Sequence, residues 1–142
     1  AGEHQMTIHA MIDLETLATT PDCVALTIGG VKFNPNAVSE PYQPFYHRFN
    51  VDEQLNNGRV TSESTLEWWG KQSEEVRNEA LGDENRTPVL EILQALNKWC
   101  VGVDTIWCQG PAFDICILEN LYRQVQALCV QQTLQTLKLE VR

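Results

Sequence analysis

The apolar positions change period twice along the chain, and the elements follow from those changes. Thr7 to Leu14 is an almost continuous apolar run, as a central strand covered on both faces would be. Thr19-Thr20-Pro21-Asp22 is turn chemistry. Cys23 to Phe33 reads as a second strand, with Gly29-Gly30 marking a bulge or a close approach of another backbone. After the turn Asn34-Pro35-Asn36, Tyr42 to Phe49 alternates. Phe45, His47 and Phe49 fall on one face, Tyr46 and Arg48 on the other. Three strands joined in succession predict an antiparallel meander.

Helical spacing then takes over. Ser64 to Trp69 predicts a short helix capped by Ser62 or Ser64, and Ser73-Glu74-Glu75 opens another that runs to about Leu81. Gly82 to Asn85 is a loop. Thr87-Pro88 predicts a helix start. Val89, Ile92, Leu93, Leu96, Trp99 and Cys100 follow on one stripe, and Gly102 ends it. Thr105 to Cys108 predicts a short buried strand, and Gln109-Gly110-Pro111 a tight turn. Pro111 to about Gln124 is helical. Val125 to Leu139 continues as an amphipathic helix with Leu128, Cys129, Leu134 and Leu137 as candidate core residues. The order is α/β, yet unlike a doubly wound sheet it does not alternate from the start.

Composition narrows the class. The chain has 142 residues, 43% hydrophobic and 20% charged, which fits one domain with a real core. Ala1 to Gln5 read as an expression-tag remnant before a natural start at Met6, leaving 6–142 as a single domain. No apolar run is long enough to span a bilayer and no secretory signal is visible, so the expected setting is the cytoplasm, with no membrane partner. Five cysteines without a Cys-x-x-Cys pair argue against a disulfide framework or a zinc site, and fit buried thiols in a reducing compartment. A net charge of −9 is the wrong sign for a broad basic nucleic-acid surface. It leaves room for a narrow site in which cations neutralise carboxylates and face phosphates.

Such a site is suggested where the first strand ends in Asp13-Leu14-Glu15. Side chains at i and i+2 share a face, so the two carboxylates would stand side by side and repel unless protons or cations intervene. Magnesium or manganese, which prefer oxygen ligands, would do so. A strand running out into solvent would give the same Asp-x-Glu. Asp114 would arrive beside them if the later strand pairs next to the first; alone, an acid in the first turn of a helix suits the helix dipole.

Met11-Ile12-Asp13-Leu14-Glu15-Thr16-Leu17 resembles the first motif of the DnaQ-like, ribonuclease H-fold 3′-5′ exonucleases, the DEDD group. Trp107-Cys108-Gln109-Gly110-Pro111-Ala112-Phe113-Asp114-Ile115-Cys116-Ile117-Leu118 resembles their second. Ser64-Thr65-Leu66-Glu67-Trp68-Trp69 has a counterpart in the phage and bacterial branch related to exoribonuclease-like domain proteins. The resemblance covers roughly Met6 to Arg123.

It implies a ribonuclease H-like fold: a mixed central sheet, with the antiparallel meander and a later parallel strand, flanked by helices. It implies 3′-5′ hydrolysis of single-stranded DNA or RNA with two ions, Mg2+ or Mn2+. Asp13 would bridge the ions, Glu15 would ligate the first, and Asp114 would serve the second. Two cations about 3.5–4 Å apart clamp the attacking and leaving oxygens of an in-line displacement. Leu14, Thr16 and Leu17 would lie beside the terminal nucleotide, with the Thr16 backbone at the 3′ hydroxyl and Leu17 against the base. Trp68 and Trp69 could stack bases, or divide between surface and core. The resemblance also allows a homodimer.

The third motif of that family, a His followed five residues later by an Asp, is missing. The histidines are His4, His9 and His47, and no Asp follows Asp114. Either the protein is truncated and inactive, a binding or interaction module on an exonuclease fold, or a segment is absent from this chain between residues 122 and 127. His9 and His47 read as structural strand residues. Arg48, Arg59 and Lys71 could meet phosphates, although solvated charge is the commoner fate.

Overall fold

The computed structural model describes residues 7–140. The meander forms as expected: β1 (His9–Thr16), β2 (Ala25–Phe33) and β3 (Tyr42–Phe49), each antiparallel to the next. β5 (Thr105–Trp107) lies parallel to β1 at one edge, and β4 (Arg86–Thr87) parallel to β3 at the other. The sheet order is β4-β3-β2-β1-β5. Helices α1 (Val51–Asn56), α2 (Glu63–Gly70), α3 (Glu74–Leu81), α4 (Val89–Trp99) and α5 (Pro111–Glu140) complete the architecture.

The local signals act where sequence placed them. Ser62 caps α2 by accepting from the Thr65 N–H, and Ser73 caps α3 by accepting from Val76. The Gly29-Gly30 pair serves both predicted purposes. The β2–β3 register shifts between Gly30 and Lys32. A Cβ on Gly30 would fall 2.9 Å from the Trp99 ring and 3.0 Å from the Met11 carbonyl oxygen. Only a residue without a side chain lets the tip of α4 press so close to the sheet.

The main core lies on one face of the sheet. Ile12 and Leu14 of β1, Ile28 of β2, and Phe45 and Phe49 of β3 meet Ile92, Leu93 and Leu96 of α4, with Ile117, Leu118 and Leu121 of α5. Each such side chain, fully buried, contributes about 1.5–3 kcal/mol from removal of apolar surface from water. A smaller cluster of Leu17, Val24, Leu26, Trp69 and Ala80 involves α2 and α3.

Several expectations are corrected. β1 is not covered on both faces: Ala10, Ile12, Leu14 and Thr16 are buried, whereas Met11 and Asp13 are exposed. Its apolar look came from Met11, which sits on the open face. β5 is exposed along its whole length rather than buried, because it is an edge strand. α1 lacks an apolar stripe; its one buried residue is Gln54, which bonds both backbone groups of Ala25. Arg86–Thr87 pairs with β3 instead of looping, and α4 begins one residue later than its Thr-Pro signal implies, capped at Pro88. α5 is one helix through residues 122–127 rather than two stretches. On it Cys129 is exposed rather than in the core, and Leu128 is half-buried. The side chains of Leu134 and Leu137, and residues 1–5 with His4, lie outside the described set. No helix among the described residues is long and apolar enough to cross a membrane.

Candidate active site

Strand register sets the floor of the site. Asp13 stands opposite Gly29, which stands opposite Tyr46; one pair further on come Glu15, Thr27 and Arg48. Directly paired residues share a face, so both acids lie on the side of the sheet away from Ile12 and Leu14. The third acid comes from another element. β5 stops at Trp107, opposite Met11, so beyond that point this edge of β1 has no strand partner. The chain turns at Gly110, and α5 brings Asp114 into the gap, where its carboxylate accepts the Leu14 N–H. Asp114 is 2% exposed.

The three carboxylates feel one another. Burial, then Asp13, raises the Asp114 carboxyl to about 6, against the pull of the Leu14 N–H. Burial raises Glu15 too, followed by the charges of Asp13 and Asp114. The Cys108 thiol is held up by its burial, with Asp114 and Asp13 adding to the effect. Among the described residues, no group of three or more His, Cys, Asp or Glu is placed to hold a metal ion. The three acids nevertheless offer hard oxygens whose charges repel, and such a donor set suits a dication with oxygen preference.

Two clefts open beside the acids. One, of about 440 Å³, runs from Asp13 and Glu15 beneath α3. The other, of about 370 Å³, is lined by Leu14, Glu15, Thr16, Trp68, Trp69 and Phe113, among others. The tryptophan pair divides: Trp69 is 3% exposed and donates its indole N–H to the Thr16 carbonyl at 2.8 Å, while Trp68 is 52% exposed and meets Trp69 edge-on. Leu17, expected beside a terminal base, is instead packed with Val24, Leu26 and Trp69.

Neither described histidine reaches the acids. His47 pairs with Ile28, on the core face, and its ring meets Phe45. His9 shares the acid face but lies four residues back along β1, where its Nδ1 accepts the Trp107 indole. Arg59 is buried rather than solvated; it bonds the carbonyls of Cys23 and Pro21 and the side chains of Asn120 and Gln124. Arg48 donates to the Gly82 carbonyl, and Lys71 is exposed at the end of α2. Sequence reasoning passed over Tyr46 and Glu79, which line the larger cleft. The available signal was Glu75, Val76, Glu79 and Ala80, an i, i+1, i+4, i+5 set placing acids and small apolar groups on one helical face.

The raised Asp114 carboxyl has a consequence for stability. Between the usual carboxylate pKa of about 4 and the folded value of about 6, the native protein holds a proton that the unfolded chain has released. Its contribution is therefore full below pH 4 and gone above pH 6, so metal-free protein should melt at a lower temperature at pH 7 than at pH 4.5. Glu15 acts in the same direction. Asp114→Asn should flatten that slope in thermal melts, and an unchanged slope would remove the assignment.

The exodeoxyribonuclease of Enterobacteria phage T4 is 28% identical to this chain over 145 residues, a match that covers 92% of the chain and 63% of the phage protein. The chain thus spans less than two thirds of that relative. Among solved structures, the zinc-bound complex of E. coli exonuclease I with single-stranded DNA superposes with a TM-score of 0.57 at 15% identity, over 84% of this chain and 24% of that one. A product-bound exonuclease I gives 0.55 at 16% identity, over 84% and 26%. At such identities the likeness is one of fold, the mixed ribonuclease H-like sheet with its helices. The sequence profile of the 3′-5′ exoribonuclease Rv2179c-like domain matches residues 8–140, nearly the whole chain, and the protein belongs to that family of DnaQ-like exonucleases.

Proposed function

We propose that the protein is a metal-dependent 3′-5′ exonuclease that hydrolyses the last phosphodiester bond of single-stranded nucleic acid by a two-metal mechanism. The observation carrying this reading is the convergence of Asp13, Glu15 and Asp114, from two distant segments, into mutual electrostatic contact beside two clefts. Asp13 and Glu15 would present their carboxylates from one strand face, and Asp114 would face them from α5, positioned by the Leu14 N–H. These side chains would hold two dications, Mg2+ or Mn2+, which supply a hydroxide near neutral pH and screen the charge on the leaving oxygen. Leu14, Thr16 and the exposed face of Trp68 would line the seat of the terminal nucleotide. Buried Trp69 would fix the Thr16 carbonyl, and Leu17 would support it from below.

The general base and fourth acid belong to a segment that we place between residues 122 and 127 of the encoded protein and that this chain does not contain. The intact mass of the gene product checks it. Should the mass match 142 residues, the second reading gains: a catalytically inactive binding module, favoured by the absence of any described histidine near the acids. The deciding experiment incubates the full gene product with matched, 5′-labelled single-stranded DNA and RNA, with and without Mn2+. Stepwise shortening from the 3′ end, only with the metal, is expected. Oligomers that are bound but never shortened would point to the module, and a homodimer can be read from the same preparation by light scattering.

A further inference from the structure

We propose that a pocket at the outer edge of β3, separate from the acid-lined clefts, is an anion site for a phosphate group, free or at the end of a small monoester. The site stands on its own observations and does not depend on the exonuclease reading. β4 pairs with β3 only at Arg48 and Phe49, so the outer edge of β3 has no strand partner at Tyr46 and His47. Off that edge opens a cavity of about 340 Å³, lined by Tyr46, His47, Arg48, Glu79 and Asn85. This lies in the size range of small-ligand sites. Tyr46 and Glu79 also line the cleft beneath α3, and the Tyr46 hydroxyl donates to the Glu79 carboxylate. That bonded pair forms a partition, with Asp13 and Glu15 on one side and Arg48 on the other.

The lining offers donors that lack acceptors. Arg48 gives one guanidinium nitrogen to the Gly82 carbonyl. Its Nε–H is buried and meets no acceptor among the described residues, a state that costs a charged group more than a neutral one. Burial, and then the charge of Arg48, pulls the neighbouring Arg86 guanidinium below its ordinary value, with Asp83 acting the other way. Two cations therefore crowd together here. Among the described residues, neither stands within ion-pair distance of a carboxylate. His47 and Asn85 add an imidazole and a carboxamide, both able to donate. Asn85 has a φ of 58°, in the left-handed region, at the corner where the chain enters β4 beside Arg48. A phosphate brings several acceptor oxygens and negative charge to such a set, and a guanidinium fork matches its geometry. Glu79 in the wall works against the anion, which turns the phosphate towards Arg48 and Asn85.

The test runs in EDTA, so that no metal at the acids can hold phosphate. The full chain is titrated with inorganic phosphate, ribose 5-phosphate, a nucleoside 5′-monophosphate and, as neutral control, ribose. Binding is followed by NMR at the backbone amides and at the Arg48 Nε–H. All three phosphates should shift His47, Arg48 and Asn85, and ribose should not. Equal affinities would identify free phosphate as the ligand and a tighter monoester would identify the ester; the site stands in both cases. Arg48→Lys keeps the charge and removes the Nε–H. It should weaken binding about tenfold or more, the loss expected of a hydrogen bond to a charged group. Should that variant misfold, Asn85→Gly, which suits the left-handed backbone, should still weaken binding severalfold. Glu79→Gln should tighten it, a gain that damage to the fold would not produce. Phosphates that leave the three residues unmoved, shifts centred on Asp13 and Glu15 instead, ribose binding as well as its phosphate, or a folded Arg48→Lys with the parent's affinity would each overturn the site.

Discussion

Asp13→Ala is expected to lower hydrolysis of single-stranded substrate in Mn2+ by more than about a hundredfold, because even groups that only orient metal ligands cost about 10- to 100-fold when removed. The same change should leave the metal-free protein's stability within about 0.5 kcal/mol of the parent. Asp13 is exposed, and its charge helps to raise both Glu15 and Asp114. Deleting it relieves repulsion and breaks no packing. Activity measured beside a denaturation curve separates the two effects. A variant that loses activity together with several kcal/mol of stability would show that Asp13 holds the fold rather than the chemistry.

Arg86→Met should do the opposite, costing about 3 kcal/mol or more of stability. The Arg86 guanidinium donates to four carbonyls: Gly82 at 2.9 Å, Leu26 at 2.8 Å, Phe49 at 3.0 Å and Ala80 at 2.6 Å. These belong to β2, β3, the last turn of α3 and the loop behind it, so one side chain stitches the roof of the larger cleft to the sheet. Methionine matches the stem but supplies no donors, leaving acceptors that water can satisfy only in part. A shift in the urea midpoint would measure the loss, and faster amide exchange in α3 would locate it. A loss under about 1 kcal/mol would mean that packing alone secures the roof.

This contrast shows what was legible in the chain and what was not. The meander, α2, α3 and α4 announced themselves through alternation, helical spacing and serine caps, all local signals. α1 did not, because its inward residue is Gln54, buried by exchanging hydrogen bonds with Ala25 and not by being apolar. Arg59 and Arg86 escaped for the same reason: a hydropathy pattern cannot see a charge whose partners are carbonyls distant in sequence. Asp13 and Glu15 could be paired from their i, i+2 spacing, and Asp114 was placed near them by the expected strand pairing. The larger cleft was invisible, since Tyr46 and Glu79 come from elements with no shared motif and meet only when α3 folds over the sheet.

The shortness of β5 carries a consequence of its own. Had the strand continued past Trp107, its backbone would have zipped on along β1 and claimed the amide of Leu14. Asp114 would then have lost its anchor and been pushed out of the gap. Lengthening this edge by two β-forming residues should therefore make a sturdier sheet and, on the exonuclease reading proposed above, a poorer catalyst. Selection for robustness and selection for turnover would pull in opposite directions at this one border, and natural variants should tolerate insertions after Gly110 less readily than in the turns between the first three strands.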